Sequence, residues 1–254
     1  MTQPALANFG SGRLYAQNTD IANATPIEFG VLQGCDFDFA FTTKSLFGQN
    51  QFAVFVARGE AKWMMKAKTG IMSGRLFNDI FFGQTLAAGQ TALQTAEPHN
   101  IPATTPFTIT VTPPNSGTFA SDEGVIYTAT GLPLQQVASG PTTGQYSQAA
   151  GIYTFATADE GLGVAISYTY NLASTGQKIA ITNQLLGTTP FFSGVFRGRD
   201  PRSGLFNTLV LNRMTSSKLT LNGKTSDYTI PEFDAEIMDD GTGNIGTMSF
   251  GDVS

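Results

Sequence analysis

Charge is scarce in this chain: only 13% of its 254 residues are Asp, Glu, Lys or Arg, about half the share usual in a soluble domain. A free-standing monomer of this length stays dispersed by means of a charged surface. A chain that economises on charge is expected to hide much of its surface against other proteins. Reactive side chains are scarcer still, with one His and one Cys. The lone Cys35 has no partner for an intramolecular disulfide, so nothing points to an oxidising compartment. No run is long and apolar enough to suggest a membrane span. The opening Met-Thr-Gln-Pro-Ala-Leu-Ala-Asn lacks the basic and apolar regions of a signal peptide, so the expectation is use without secretion. A net charge of -5 argues against a firm grip on nucleic acid, whose phosphates are held mainly by Lys and Arg. These absences favour building material over an enzyme, and no cofactor or metal is expected.

What is present is glycine and phenylalanine, 28 and 20 residues respectively, as in short strands joined by tight turns. Residues 1–25 are polar and aperiodic and read as an N-terminal arm. Cys35 to Phe41 then alternates strictly, with Phe37, Phe39 and Phe41 on one face and Asp36 and Asp38 on the other. Gln51 to Ala57 reads as a second strand. Ala61 to Lys68 reads as a third, placing Trp63, Met65 and Ala67 opposite Lys62, Met64, Lys66 and Lys68. Between Ser73 and Gly83 the apolar residues Leu76, Phe77, Ile80 and Phe81 fall three and four apart. That spacing predicts one face of a short helix, with Ser73 as N-cap and Gly83 as its stop. Residues 84–118 carry only Glu97 and His99 as ionisable groups. They read as a long loop with a brief strand at Phe107 to Val111, suited to docking on a neighbouring subunit. Strands return at short intervals from Gly124 to Phe250, and Asn222-Gly223 suits a two-residue hairpin turn. The expected fold is mainly β: a β-sandwich or barrel over 26–254, one domain with one flanking helix and the long loop.

Motifs of chemistry are few. Gly241-Thr-Gly243-Asn-Ile-Gly246 matches the dinucleotide fingerprint, but only eight residues follow it, too few for the helix and strand that fingerprint needs. A glycine turn between the last two strands is the expectation. His99 lies near no Gly-x-Ser-x-Gly elbow and no partners at metal-ligand spacing, so it reads as an incidental loop residue. Cys35 has no basic neighbour to make it reactive. The acids are more suggestive. Glu232, Asp234 and Glu236 share one strand face at ~7 Å steps, and Asp36 and Asp38 repeat the pattern. Such carboxylates suit a solvated face, or the acid pair of a glycosidase at separations of roughly 5–9.5 Å. Charge is also segregated: six of fourteen basic residues lie between Lys44 and Arg75, and none follows Lys224. The stripes Lys62, Lys66, Lys68 and the acids suit either complementary surfaces of two copies or cross-strand partners within one.

Several segments taken together carry a family resemblance. They are Thr25-Pro-Ile-Glu-Phe-Gly-Val, the Phe-Asp-Phe-Ala-Phe strand, Lys44-Ser-Leu-Phe-Gly-Gln-Asn-Gln-Phe, and Lys66-Ala-Lys-Thr-Gly followed by the Phe-Phe-Gly helix. Further along come Asp122-Glu-Gly-Val-Ile-Tyr, Gly151-Ile-Tyr-Thr-Phe-Ala, Ile166-Ser-Tyr-Thr-Tyr and Pro231-Glu-Phe-Asp-Ala-Glu. In this order they resemble the tail tube proteins of tailed bacteriophages, most of all those with long non-contractile tails. The resemblance implies a virion subunit, assembled in the host bacterial cytoplasm. Six copies would make a ring and rings would stack into a tube. That tube would surround a tape-measure protein and then double-stranded DNA in transit, with tail-end proteins closing it. The N-terminal arm and the long loop would reach adjoining subunits.

A DNA conduit must not bind its cargo, and an acidic lumen repels phosphates over roughly the Debye length, ~8 Å at physiological salt. Glu232, Asp234 and Glu236 are the expected lumen acids, Asp36 and Asp38 the second candidates, and Lys62, Lys66 and Lys68 a possible interface stripe. Two other classes stay open on the residues alone. One is a β-sandwich adhesin or carbohydrate-binding module, which needs an exposed aromatic patch. The other is a glycan hydrolase using the acid pair.

Overall fold

The computed structural model describes residues 10–251. In chain order the strands are β1 (Arg13–Asn18), β2 (Ile27–Glu28), β3 (Leu32–Phe47), β4 (Ala53–Thr69), β5 (Leu86–Asn100), β6 (Thr108–Thr110), β7 (Thr118–Tyr127) and β8 (Gln135–Gln136). They continue as β9 (Gln145–Ala149), β10 (Ile152–Phe155), β11 (Gly163–Ile179), β12 (Phe191–Arg199), β13 (Phe206–Thr220), β14 (Glu232–Ile237) and β15 (Gly246–Phe250). Strand makes up 55%, with one nine-residue helix and two short 3-10 turns, so the protein is mainly β as expected, in three sheets with no closed barrel. Among the described residues no helix is long and apolar enough to cross a membrane.

In place of the single expected domain, the chain divides into two compact units. One comprises residues 1–85 and 179–254, and the other is Leu86–Lys178, inserted between its two parts. The chain leaves and re-enters the first unit at neighbouring points, where Thr182 Oγ1 donates to Gln84 Oε1 at 3.1 Å.

The first unit is built on one sheet ordered β2-β1-β12-β13-β14-β4-β3, with β15 also paired to β13. β14 and β15 lie end to end along β13, facing Thr220 to Met214 and Leu211 to Asn207 respectively. One sheet face buries Leu14, Met65, Ala67, Phe192, Met214, Phe233 and Ala235. The helix lies on that face. It begins as α1 (Gly74–Phe77), where Ser73 caps by accepting from the Leu76 backbone N–H, and widens to a π turn over Asn78–Phe82. Gly83, left-handed at φ 59°, ends it, donating its N–H to Asn78 O. Leu76, Phe77 and Ile80 are buried, whereas Phe81 is half-buried. The widened turn is held from the side: Asn78 Nδ2 donates to Gln84 O (2.7 Å), and Asn18 Nδ2 donates to Asp79 O (2.7 Å).

The second unit is a sandwich of a three-stranded sheet, β5-β11-β7, and a four-stranded sheet, β6-β10-β9-β8. Its core is rich in tyrosine: Tyr146, Tyr153, Tyr168 and Tyr170 are buried among Val125, Val164, Ile166 and Phe155. Buried phenols usually find hydrogen-bond partners, and carboxylates supply them for three of these four. Asp122 accepts from both Tyr146 OH (2.5 Å) and Tyr153 OH (2.8 Å), and Glu97 accepts from Tyr168 OH (2.6 Å).

Several expectations change. The long loop at about 84–118 contains the 15-residue strand β5. Its Ala, Gln and Thr residues give little hydrophobic rhythm, because only one face of an edge strand meets the core. Gly89 is required there, since a Cβ would lie 2.6 Å from Leu172 O. The N-terminal arm is corrected too: Arg13–Asn18 is strand β1, paired along β12, while residues 1–9 lie outside the described residues. Asn222-Gly223 makes no two-residue hairpin, because β13 and β14 are separated by the whole segment 221–231.

Candidate functional site

Strand β4 pairs with β14 only as far as Trp63. Beyond that point its partner is β3 alone. The register runs Phe41 to Ala61, Thr43 to Arg58, Lys44 to Ala57, Ser45 to Val56, Leu46 to Phe55 and Phe47 to Ala53. Residues 41–47 and 53–61 therefore form a two-stranded ribbon that leaves the sheet. Leu46, Phe47, Val54, Phe55 and Val56 on it are 60–69% exposed, and Phe52 is 85% exposed. Leu46 and Phe55 share one face, and Val54 and Val56 point to the other. Both faces are thus apolar and open to solvent. At roughly 200 Å² per ring, the three exposed phenylalanines alone present about 400 Å², already the size of a large apolar patch on a monomer. An isolated two-stranded hairpin is at best marginal in water. β3 is also the end strand of its sheet over 16 residues, an open edge of the kind proteins usually shield.

The other face of the same sheet brings together the residues expected to form separate stripes. Lys218, Asp234, Lys66 and Asp36 stand opposite one another across β13, β14, β4 and β3. The neighbouring row pairs Glu232 with Lys68, Nζ to Oε1 3.0 Å, both side chains about half exposed. That carboxylate, by hydrogen bonding first and by charge second, raises the Lys68 ammonium above its ordinary range. In the next row Glu236 and Asp38 flank Met64, so no ammonium lies directly between them. Lys62 lies opposite Ala40. The acidic and basic stripes therefore meet as cross-strand partners on one interleaved face, the second of the two arrangements that the sequence left open. Alternation put each stripe on the right kind of face, but sequence spacing carries no information about which strands become neighbours.

The remaining motifs resolve locally. Gly241 and Gly243, both at positive φ, form the turn between β14 and β15, their N–H groups donating to Asp239 Oδ1 at 2.8 and 3.0 Å. Beside them Asp240 accepts from the Thr242 hydroxyl and backbone, which hold its carboxyl down to about 2. A strand follows this turn, not a helix, so no dipole faces a pyrophosphate. His99 is on β5, not in a loop, with Nε2 2.9 Å from Glu97 Oε1. Burial, reinforced by Asp36, pushes the Cys35 thiol up to about 12, which leaves it protonated and unreactive. Among the described residues no group of three or more His, Cys, Asp or Glu is placed to hold a metal ion. Of the large hydrophobic side chains exposed in Leu86–Lys178, all are aliphatic. The Asp122 and Glu97 pins escaped the sequence reading because their tyrosines come from strands 24 to 71 residues away.

No protein-family model matches the chain, and a search of curated proteins likewise finds no match.

Proposed function

We propose that the protein is a structural subunit that polymerises, and that the polymer is a bacteriophage-type tail tube of stacked hexameric rings. In this reading the tube forms around a tape-measure protein and then conducts double-stranded DNA. The observation that carries the assembly reading is the ribbon with two apolar faces. A two-fold dimer covers one face of such a ribbon; burying both requires at least two neighbours per subunit, which is the condition for rings and tubes. The open edge of β3 and the low charge of the chain support the same conclusion. The segment-by-segment resemblance to tail tube proteins adds the particular architecture.

In this reading the charged sheet face is the lumen. Five carboxylates there (Asp36, Asp38, Glu232, Asp234, Glu236) stand against four ammonium groups (Lys62, Lys66, Lys68, Lys218). Such a face is nearly neutral, offering DNA neither a net attraction nor a strong barrier. The row of Asp38 and Glu236 is its one unbalanced acidic band. Negative-stain microscopy and sedimentation of the purified protein test the proposal. Rings or tubes are expected; compact monomers at high concentration would refute it. Asp38→Lys with Glu236→Lys should still permit tubes but make them retain DNA at low salt. Unaltered DNA release from such tubes removes the lumen assignment.

A further inference from the structure

We propose that a leucine turn of one subunit seats in an apolar groove on the next. The inference rests on the assembly reading above and names one of its contacts. The turn is Leu185 to Thr188, closed by Thr188 N–H donating to Leu185 O at 3.1 Å, with Gly187 at φ 89° in the third position. That geometry is a type II turn and needs glycine there. It presents Leu185 and Leu186 at 87% and 105% exposure, so Leu186 has essentially no cover from its own chain. No charged residue occurs from Ile179 to Phe196.

The groove lies where the ribbon parts from the sheet. Phe39 and Trp63 form one wall and Leu209, Leu211 and Met248 the other, around a volume of about 350 Å³. A cavity of roughly 150 Å³ holds a benzene ring, so two leucine side chains fit. None of its lining residues is charged. Turn and groove can therefore be dehydrated together without stranding an ion. Trp63 Nε1 is buried and has no acceptor among the described residues, so the Trp63 ring meets the groove through its apolar atoms.

The two features are placed for different copies. Phe191, where the turn segment enters β12, pairs with Thr215, whereas the groove lies at Leu211 and Leu209 on the opposite flank of β13. That is roughly 13–20 Å further along the strand. A knob and a groove on different parts of one surface make a heterologous contact, which propagates from copy to copy instead of closing a pair.

The test mixes two variants that each add one cysteine to the native Cys35, Leu186→Cys and Met248→Cys, lets them assemble, and adds a short bis-maleimide. The native Cys35 thiol contributes little background. Cross-linked dimers are expected in the mixture and not in either variant alone. Assembled material without a mixed cross-link overturns the inference. So does equal cross-linking in each variant alone, which marks a two-fold contact, and so does a Phe52→Cys partner that replaces Leu186→Cys. Thr247→Cys provides a second groove position if Met248→Cys does not assemble. Trp63, the only tryptophan, reports independently: its emission should shift to the blue on assembly of the wild type, and Leu185→Ser with Leu186→Ser should lose that shift. Wild-type protein that stays monomeric refutes the assembly reading itself, an outcome distinct from tubes that lack this contact.

Discussion

Phe55→Ser separates folding from assembly. Phe55 is 69% exposed in the subunit and pairs across the ribbon with Leu46. With roughly 200 Å² for the ring, about 140 Å² is free to be buried by a neighbour. At ~25 cal/mol per Å² that area contributes about 3.5 kcal/mol to association, a factor of roughly 300 in the association constant. Inside the subunit the substitution removes only a cross-strand contact, ~0.2–1 kcal/mol. The association term is therefore several-fold larger than the folding term. A sedimentation-velocity concentration series should show assembly moved to a roughly 300-fold higher concentration, while the melting temperature stays near the wild type. An assembly midpoint within threefold of the wild type, with the fold intact, would show that the ribbon stays in solvent and that the argument from its two faces is wrong.

Three further outcomes follow from the packing. Asp122→Ala strands two buried tyrosine hydroxyls and should destabilise the protein by about 2–6 kcal/mol in urea unfolding; adding Tyr146→Phe and Tyr153→Phe should recover much of it, and a neutral single variant would refute the pinning role. Burial first, then the adjacent carboxylates, raise Tyr146, Tyr153 and Tyr168 above the ordinary phenol value. Their contribution is therefore intact below pH ~10 and lost as pH rises beyond it, each withheld proton steepening the fall by about 1.4 kcal/mol per pH unit; melting followed by near-ultraviolet dichroism should decline there, and a flat profile through pH ~12 contradicts the assignment. Ile80→Ala, at a fully buried helix position, should destabilise by about 2–5 kcal/mol, whereas Phe81→Ala should do less because its ring is only half-buried; equal melting temperatures for both variants and the wild type would mean that the helix packs through another face.

The sequence by itself determined the elements that depend on local rules. The mainly-β class follows from alternation and turn residues. The helix over 73–83 follows from a capping serine, apolar residues three and four apart and a terminal glycine that accepts positive φ. Even the orientation of Asp36, Asp38, Glu232, Asp234 and Glu236 away from the core was legible, because side chains alternate along a strand whatever lies beside it.

Tertiary structure alone decided which strands adjoin. It set Lys66 between Asp36 and Asp234 and Lys68 beside Glu232, turning two expected stripes into one interleaved face. It made β5 a strand although Ala, Gln and Thr carry no strong preference, since pairing with β11 supplies what the residues do not. It also parted the ribbon from the sheet beyond Trp63, a consequence of where β14 ends that no pattern within β3 or β4 encodes. Periodicity is a property of neighbours in sequence, whereas register and exposure belong to neighbours in space.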